Sequence, residues 1–321
     1  MTKNFTPKVT IMIPTFNQEA FIGDAIGSAL AQSYPNLEVI VGDDASTDGT
    51  ANIAMKIQDP RLSCVRNPCN LGRTANYRNL LYNYAAGDYV INLDGDDYFT
   101  DQDFIAYAIQ CIGKKKETVM VVARVTTKTP NGEWVSEIPG IQECTGLQLL
   151  SKLPKKEYML MHMGVLYSRK HALVTGFYRS DAISSDWESL YRLSLKGIVR
   201  YLDRNIGVWR QHASNETGTN DVSKLLANLR IWEPVYNDAY KSGMTRWRSM
   251  ITSTKCVANY ASSSCIRISI SDKSNLLGFI LSVAKEFWLP TFFFVIYPKY
   301  GARVFLSFCG YYRRRHQDFP K

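Results

Sequence analysis

Three carboxylates, Asp94, Asp96 and Asp97, directly follow a short apolar run, Tyr89–Leu93. That run alternates in the manner of a buried β-strand. Acids so close together repel one another, and burying them unpaired is unfavourable. A divalent cation with oxygen ligands, Mg2+ or Mn2+, relieves this repulsion. Gly95 is expected to let the backbone turn so that the acids converge. The alternative interpretation is an ordinary polar turn.

A second acid pair, Asp43 and Asp44, follows another apolar strand, Leu37–Val41. Strands and helices alternate through the first hundred residues, which predicts a parallel sheet with helices on its faces. Ligands of such sheets bind beyond the carboxyl ends of the strands, so both acid clusters are expected at one edge. The predicted strands are Lys8–Pro14, Leu37–Val41, Leu62–Val65 and the run before Asp94; the predicted helices are Gln18–Gln32, Thr47–Ile57 and Arg73–Ala86, the last closed by Gly87.

The second half of the chain predicts a mixed sheet and then helices. A strand at Thr118–Val125 leads into a hairpin centred on Pro130–Gly132, and a helix at Asp186–Lys196 precedes a strand at Ile198–Trp209. After Asp221 the pattern is helical, with Pro234 and Gly243 as expected breaks. We therefore predict an α/β domain over residues 1–220 and a helical region over residues 221–321.

The C-terminal region carries the features expected of a peripheral membrane contact. Asn275–Trp288 is amphipathic, and Arg313–His316 is a basic cluster. No window offers about 18 uninterrupted apolar residues, so an interfacial helix facing anionic lipid is favoured over a spanning one. The alternative is a core helix with a solvated basic tail.

Composition restricts the compartment and the partners. Seven cysteines without a CxxC pair indicate reduced thiols, and Met1–Lys8 has no apolar stretch of the signal-peptide type. We therefore expect a cytoplasmic protein, peripheral on the inner face of the cell membrane. The net charge of +9 favours anionic partners, but no basic helix with interleaved aromatics suggests a nucleic-acid binder.

Five blocks, in order and spacing, resemble a family 2 glycosyltransferase of the GT-A fold, the inverting type that uses sugar nucleotides. The chain departs from the family pattern at Ala45, where Gly is usual, and at Ser185, where Glu is usual. The blocks are Val9–Asn17, Val41–Asp48, Asn70–Gly72 with Arg78-Asn79, Leu93–Asp97, and Ser185–Leu190 with Arg192.

The resemblance implies a role for each matching residue. Asp96 would be the main metal ligand, with His212 beside it, although an exposed loop histidine is the alternative for His212. Asp186 would be the general base, with a helix N-cap as its alternative or additional role. Asp94 would lie near the ribose and the metal, and Asp44 would contact uracil. The other residues implied at the nucleotide sugar are Pro14, Thr15, Phe16, Asp43, Arg78 and Gly95.

The function implied is a metal-dependent, inverting transfer of a sugar from a nucleotide-diphosphate sugar, with UDP as the expected carrier. The expected acceptor is a saccharide or a polyprenyl-diphosphate-linked saccharide at the inner-membrane surface, as in O-antigen or capsule assembly. Two alternatives stay open. One is an inactive sugar-nucleotide binding module with the same fold. The other is a nucleotidyltransferase, which the lack of a Gly-rich basic loop at Pro14–Gln18 disfavours.

Overall fold

A computed structural model describes residues 6–212, 215, 219–271 and 274–287. The strands are β1 Val9–Thr15, β2 Leu37–Asp43, β3 Leu62–Arg66, β4 Tyr89–Asn92, β5 Tyr98–Phe99, β6 Thr118–Thr129, β7 Gly132–Val135, β8 Glu143–Thr145, β9 Val165–Ser168 and β10 Ile198–Arg210. The α-helices are α1 Ile22–Leu30, α2 Thr50–Lys56, α3 Arg73–Asn79, α4 Phe104–Lys114, α5 Gly146–Lys152, α6 Arg169–Thr175, α7 Ser185–Ser194, α8 Val222–Leu229, α9 Trp232–Lys241, α10 Arg246–Ser271 and α11 Ser274–Glu286.

The strands form one mixed sheet in the order β3-β2-β1-β4-β9-β6-β10-β5, with β7 paired to β6 and β8 to β10. The first four positions are parallel, as predicted, and β9 then runs antiparallel between β4 and β6. Alternate residues of β1 face opposite sides of the sheet: Ile11 and Ile13 pack with α1 and α4, while Met12 packs with α3 and the later helices. The predicted α/β class with a mixed sheet and a helical C-terminal region is therefore confirmed.

Three local predictions were wrong. The helix predicted to Ala86 changes at Leu80 into a π-helix, Leu80–Tyr84, in which the Ala85 amide donates to the Leu80 carbonyl at 2.8 Å. Gly87 does not take the left-handed conformation of a helix end; it allows Thr10 to approach where a Cβ would lie 2.6 Å from the Thr10 hydroxyl oxygen. Pro234 does not break a helix, because it lies in the first turn of α9, where a missing N–H is tolerated. The break at Gly243 is confirmed, with φ +107°.

The helices after Asp221 pack onto the sheet domain through α7. Leu225, Val235 and Phe279 belong to the same hydrophobic core as Leu190 and Leu193 of α7. The division at residues 220 and 221 stays a prediction. In the described ranges, none of the helices combines the length and the apolar character needed to cross a bilayer.

The amphipathic segment predicted from Asn275 corresponds to α11, which packs against α8 and α10. Leu276, Phe279 and Val283 are buried, whereas Leu277 and Leu281 are 57% and 60% exposed. One part of the apolar surface of α11 is therefore packed in the core, and another part is exposed to solvent. Trp288 and the basic cluster Arg313–His316 lie outside the described residues.

Candidate active site

The carboxyl ends of β1, β2 and β4 bring most of the predicted nucleotide-sugar residues together. Thr15 at the end of β1 pairs in register with Asp43 at the end of β2. The Asp44 amide donates to the Thr15 carbonyl at 2.9 Å, and the Gly95 amide donates to the Pro14 carbonyl at 3.2 Å. The two acid clusters therefore share one edge of the sheet, as their positions after parallel strands predicted.

One oxygen from each of Asp94, Asp96 and Asp97 lies within 4.8 Å of the others. Each carboxylate is held by a donor outside the acid segment. The Tyr77 hydroxyl donates to Asp94 Oδ1 at 2.6 Å, and the Arg210 amide donates to Asp97 Oδ1 at 2.8 Å. His212 Nε2 lies 2.9 Å from Asp96 Oδ2, and the Asn215 amide donates to the same oxygen at 3.3 Å. Each carboxylate keeps a second oxygen for a cation.

The electrostatics of this cluster fit a divalent cation. Burial, followed by the charges of Asp96 and Asp94, raises the pKa of Asp97 well above its usual range. Burial and the charge of Asp94 also raise the pKa of Asp96, opposed in part by His212. A cation held by these oxygens would offset both effects. An all-oxygen carboxylate donor set suits Mg2+ or Mn2+.

Gly95 was predicted to allow a backbone turn, but the structure gives a different reason for a glycine at this position. Its φ is outside the left-handed region, so a special turn conformation is not the reason for glycine. A Cβ at this position would lie 2.7 Å from Thr15 Oγ1 and would also meet the Gln18 side chain. Glycine therefore allows the acid segment to approach the turn after β1. Left-handed backbone occurs instead at Ala45, with φ +61°, which accounts for the usual glycine there.

Asp44 organises the loop that follows β3. Its buried carboxylate accepts hydrogen bonds from the Asn67 side chain at 2.8 Å and from the amides of Leu71 and Gly72, each at 2.9 Å. Asp43, also buried, accepts from the Ser46 amide at 3.3 Å. Both acids lie at the predicted edge, and the uracil contact of Asp44 stays a prediction.

Two predicted residues lie at the surface. The Arg78 guanidinium donates to the Tyr178 carbonyl at 3.0 Å and is on the outer side of α3, beside Leu71 and Tyr82. Phe16 is 42% exposed in the turn after β1. Their predicted contacts with the donor stay predictions.

Asp186 is the second residue of α7, and the N-cap of that helix is Ser184. The capping alternative for Asp186 is therefore wrong. Its half-buried carboxylate has no hydrogen bond or ion pair with any residue that the structure describes. The Ser185 hydroxyl lies 3.2 Å from that of Thr74, which fixes the start of α7 against the start of α3.

Tyr77 donates to the acid cluster and lies within electrostatic range of Asp186, and sequence reasoning missed it. Burial raises the pKa of Tyr77 well above its usual range; the charge of Asp94 adds to this, and the nearby charge of Asp186 does so more weakly. The Tyr77 ring packs against Tyr178 and, edge-on at 5.3 Å, against His162. His162 Nε2 lies 2.9 Å from the Tyr178 hydroxyl oxygen. The sequence signal for Tyr77 is only its place just before the Arg78-Asn79 block.

Comparisons with known proteins agree with this geometry. The family model described as Glycosyl transferase family 2 matches residues 10–173. The chain is 42% identical over 91 residues to the Escherichia coli protein UDP-Glc:alpha-D-GlcNAc-diphosphoundecaprenol beta-1,3-glucosyltransferase WfaP, a match covering 28% of this chain and 36% of WfaP. The chain matches less than two thirds of the length of these curated relatives: 36% of WfaP and 65% of an uncharacterized Mycobacterium tuberculosis protein.

Two solved structures share the fold. Staphylococcus aureus TarS residues 1–349, in complex with UDP-GlcNAc, has a TM-score of 0.67 at 18% identity, covering 87% of this chain and 80% of that one. The mannosyltransferase PcManGT from Pyrobaculum calidifontis, in complex with GDP-Man and Mn2+, has a TM-score of 0.56 at 17% identity, covering 95% and 85%.

Proposed function

The chain belongs to glycosyl transferase family 2 and has the GT-A fold, and from that premise we propose that it transfers a sugar from a nucleotide-diphosphate sugar to a hydroxyl of a saccharide acceptor. The observation that carries the proposal is the placement of Asp186. Its carboxylate has no hydrogen bond or ion pair among the described residues. The neighbouring Ser185 contacts Thr74 of α3, the helix that also carries Tyr77, and the Tyr77 hydroxyl donates to Asp94. The candidate base and the candidate diphosphate site are thus linked through α3.

On the donor side, Asp94, Asp96 and Asp97 would hold Mn2+ or Mg2+, with His212 orienting Asp96. A bound cation supplies Lewis-acid neutralisation of the leaving diphosphate. We propose UDP as the carrier, which TarS and the printed name of WfaP support, while PcManGT was solved with a GDP-sugar. In this proposal Asp44 contacts uracil. The residues proposed to line the rest of the donor site are Pro14, Thr15, Phe16, Asp43, Arg78 and Gly95.

On the acceptor side, Asp186 would take the proton from the attacking hydroxyl. The hydroxyl oxygen forms a bond to the anomeric carbon while the bond from that carbon to the diphosphate oxygen breaks. A carboxylate suits this role when the proton moves late and the geometry is fixed. The single displacement inverts the anomeric centre, so an α-linked donor gives a β-linked product.

We propose a saccharide acceptor carried on a polyprenyl diphosphate, used in surface-polysaccharide assembly at the inner face of the cell membrane. The name of WfaP, a glucosyltransferase acting on a diphosphoundecaprenol-linked sugar, supports this acceptor class. In this scheme residues 1–220 carry the chemistry, and residues 221–321 carry the membrane contact.

Calorimetric titration of UDP, GDP and CMP, each with and without Mn2+, tests the donor site. The wild type should bind UDP in a Mn2+-dependent manner, and Asp96→Ala should abolish that binding. Asp59→Ala is a matched control, because Asp59 pairs with Arg61 at the opposite, amino end of β3. Metal-independent binding would refute the donor site. Metal-dependent UDP binding without transfer or donor hydrolysis would identify an inactive binding module.

A further inference from the structure

The segment that joins α9 to α10 exposes three large apolar side chains within eleven residues of sequence. Trp247 is 68% exposed, Tyr240 is 53% exposed and Met250 is 38% exposed. We refer to residues 240–250 as the α9–α10 corner. Single exposed apolar residues are ordinary on protein surfaces. Two aromatic side chains at one turn, one of them a tryptophan on the first turn of a long helix, form a concentrated apolar feature.

Three cations, Lys241, Arg246 and Arg248, lie in the same segment. Arg246 and Arg248 flank Trp247, and all three are exposed. Within the part of the chain that the structure describes, neither arginine forms an ion pair or a side-chain hydrogen bond. Lys241 reaches Asp238 only at 3.7 Å. The corner itself contains no acidic residue. Its charge is therefore available to an external anion.

A cleft of about 390 Å³ adjoins the corner. It is lined by Ser242 of the corner together with two lysines, Lys115 and Lys196, and one acid, Glu117. Lys115 pairs with Glu143, whereas Lys196 is exposed and has no ion pair among the described residues. Lys115 is the middle residue of the run Lys114–Lys116, which thus adjoins the corner.

We propose that the α9–α10 corner docks on an anionic phospholipid surface. Tryptophan and tyrosine favour the headgroup level of a bilayer, where the ring is apolar and its polar edge stays hydrated. Arginine and lysine beside them are attracted to the negative surface of such a membrane. This inference rests on the proposed membrane location and assigns the contact to a surface other than the segment after Asn275.

The corner is separate from the candidate active site. Asp186 lies at the first turn of α7, whereas Lys196, which lines the cleft with Ser242 of the corner, comes two residues after the end of the same helix. At 1.5 Å per residue the two ends of α7 are about 14 Å apart. Substitutions at the corner should therefore leave nucleotide binding unchanged.

The test is co-sedimentation of the full chain with phosphatidylcholine vesicles, with and without about 30% phosphatidylglycerol. The wild type should bind the anionic vesicles, and added salt should weaken binding. Arg246→Gln with Arg248→Gln should lower the partition coefficient about 25-fold, since each cation near such a surface contributes about fivefold. Trp247→Ala, as a single substitution, should also lower the partition coefficient.

Matched controls remove the same chemistry elsewhere. Lys56→Gln with Lys170→Gln removes two exposed cations, and Trp134→Ala removes a tryptophan that is 51% exposed. These variants should bind vesicles as the wild type does. Equal vesicle binding by the corner variants and the control variants would overturn the proposal. So would wild-type binding that is the same with and without phosphatidylglycerol, or the absence of wild-type binding to either vesicle. Titration of UDP with Mn2+ into every variant separates this result from a failure of the proposed function.

Discussion

Replacing Tyr77 by phenylalanine tests whether the acid cluster depends on a donor outside it. The hydroxyl of Tyr77 donates to Asp94 Oδ1 at 2.6 Å, and the substitution removes this hydrogen bond alone. The ring itself is 1% exposed and packs against Tyr178 and His162, contacts that phenylalanine keeps. We therefore expect a folded variant in which Asp94 is less firmly oriented.

The expected loss follows from the chemistry of the bond. A hydrogen bond to a charged acceptor contributes roughly 1.5–3 kcal/mol, and 1.36 kcal/mol corresponds to about a tenfold change. Because Asp94 is partly exposed, water can replace the hydroxyl in part, which favours the lower end. Mn2+ affinity and kcat/KM should each fall about 10- to 100-fold, the usual effect of losing a partner that orients a metal ligand.

Calorimetric Mn2+ titration in the presence of UDP, together with steady-state kinetics, measures both quantities. Tyr167→Phe is the matched control, because its buried hydroxyl donates to Asn92 at 2.9 Å rather than to an acid of the cluster. The control should lose some stability and keep its Mn2+ affinity. If Tyr77→Phe retained both Mn2+ affinity and kcat/KM within about twofold, the orienting role of Tyr77 would be refuted.

Three further predictions address the base, the acids and the glycine. Asp186→Asn should lower kcat about 100- to 10,000-fold and leave UDP affinity unchanged; an equal loss of UDP binding would contradict a role as base. Because burial and then the charges of neighbouring acids raise the pKa of Asp97, the folded, metal-free protein binds a proton that the unfolded chain has released. Its stability should therefore fall as pH rises from about 4 through the raised pKa, and saturating Mn2+ should restore about 2.7 kcal/mol at 100 times its Kd. Thermal unfolding with a chelator or Mn2+ measures this, and Asp97→Asn should weaken the pH effect, leaving the smaller part that arises from Asp96. Gly95→Ala should destabilise the protein by about 1–3 kcal/mol, because the new methyl group would lie 2.9 Å from the Cβ of Thr15, a β-branched residue that cannot easily move away. Gly140→Ala, in open space, should cost little by the same unfolding assay.

The sequence predicts the parallel half of the sheet because its strands are apolar runs separated by helices of clear period. It does not reveal β9, a four-residue strand within a loop-like segment. The place of β9 between β4 and β6 is set by pairing with strands that are distant in sequence. The π-helix Leu80–Tyr84 is equally hidden, because its residues continue an ordinary helical pattern.

The residues of the candidate site likewise fall into those that the sequence predicts and those that it does not. Asp94, Asp96 and Asp97 are predictable because they follow a strand directly, and strand ends of a parallel sheet meet at one edge. The contacts of Tyr77 and His162 are not predictable, because each depends on which side chains the fold brings together in three dimensions. The reason for Gly95 was also beyond the sequence, since it lies in contacts with the turn after β1.

The orientation of the acids depends on more of the fold than their adjacency suggests. The donors that hold Asp94, Asp97 and Asp96 are separated from them by 17, 113 and 116 residues, respectively. Arg210 and His212 come from the end of β10 and the positions just after it, and Asn215, a second donor to Asp96, follows three residues later. β10 reaches this edge only by pairing in parallel with β6 and antiparallel with β5. A change that displaces the end of β10 should therefore disturb the acid cluster even when β1, β2 and β4 keep their register.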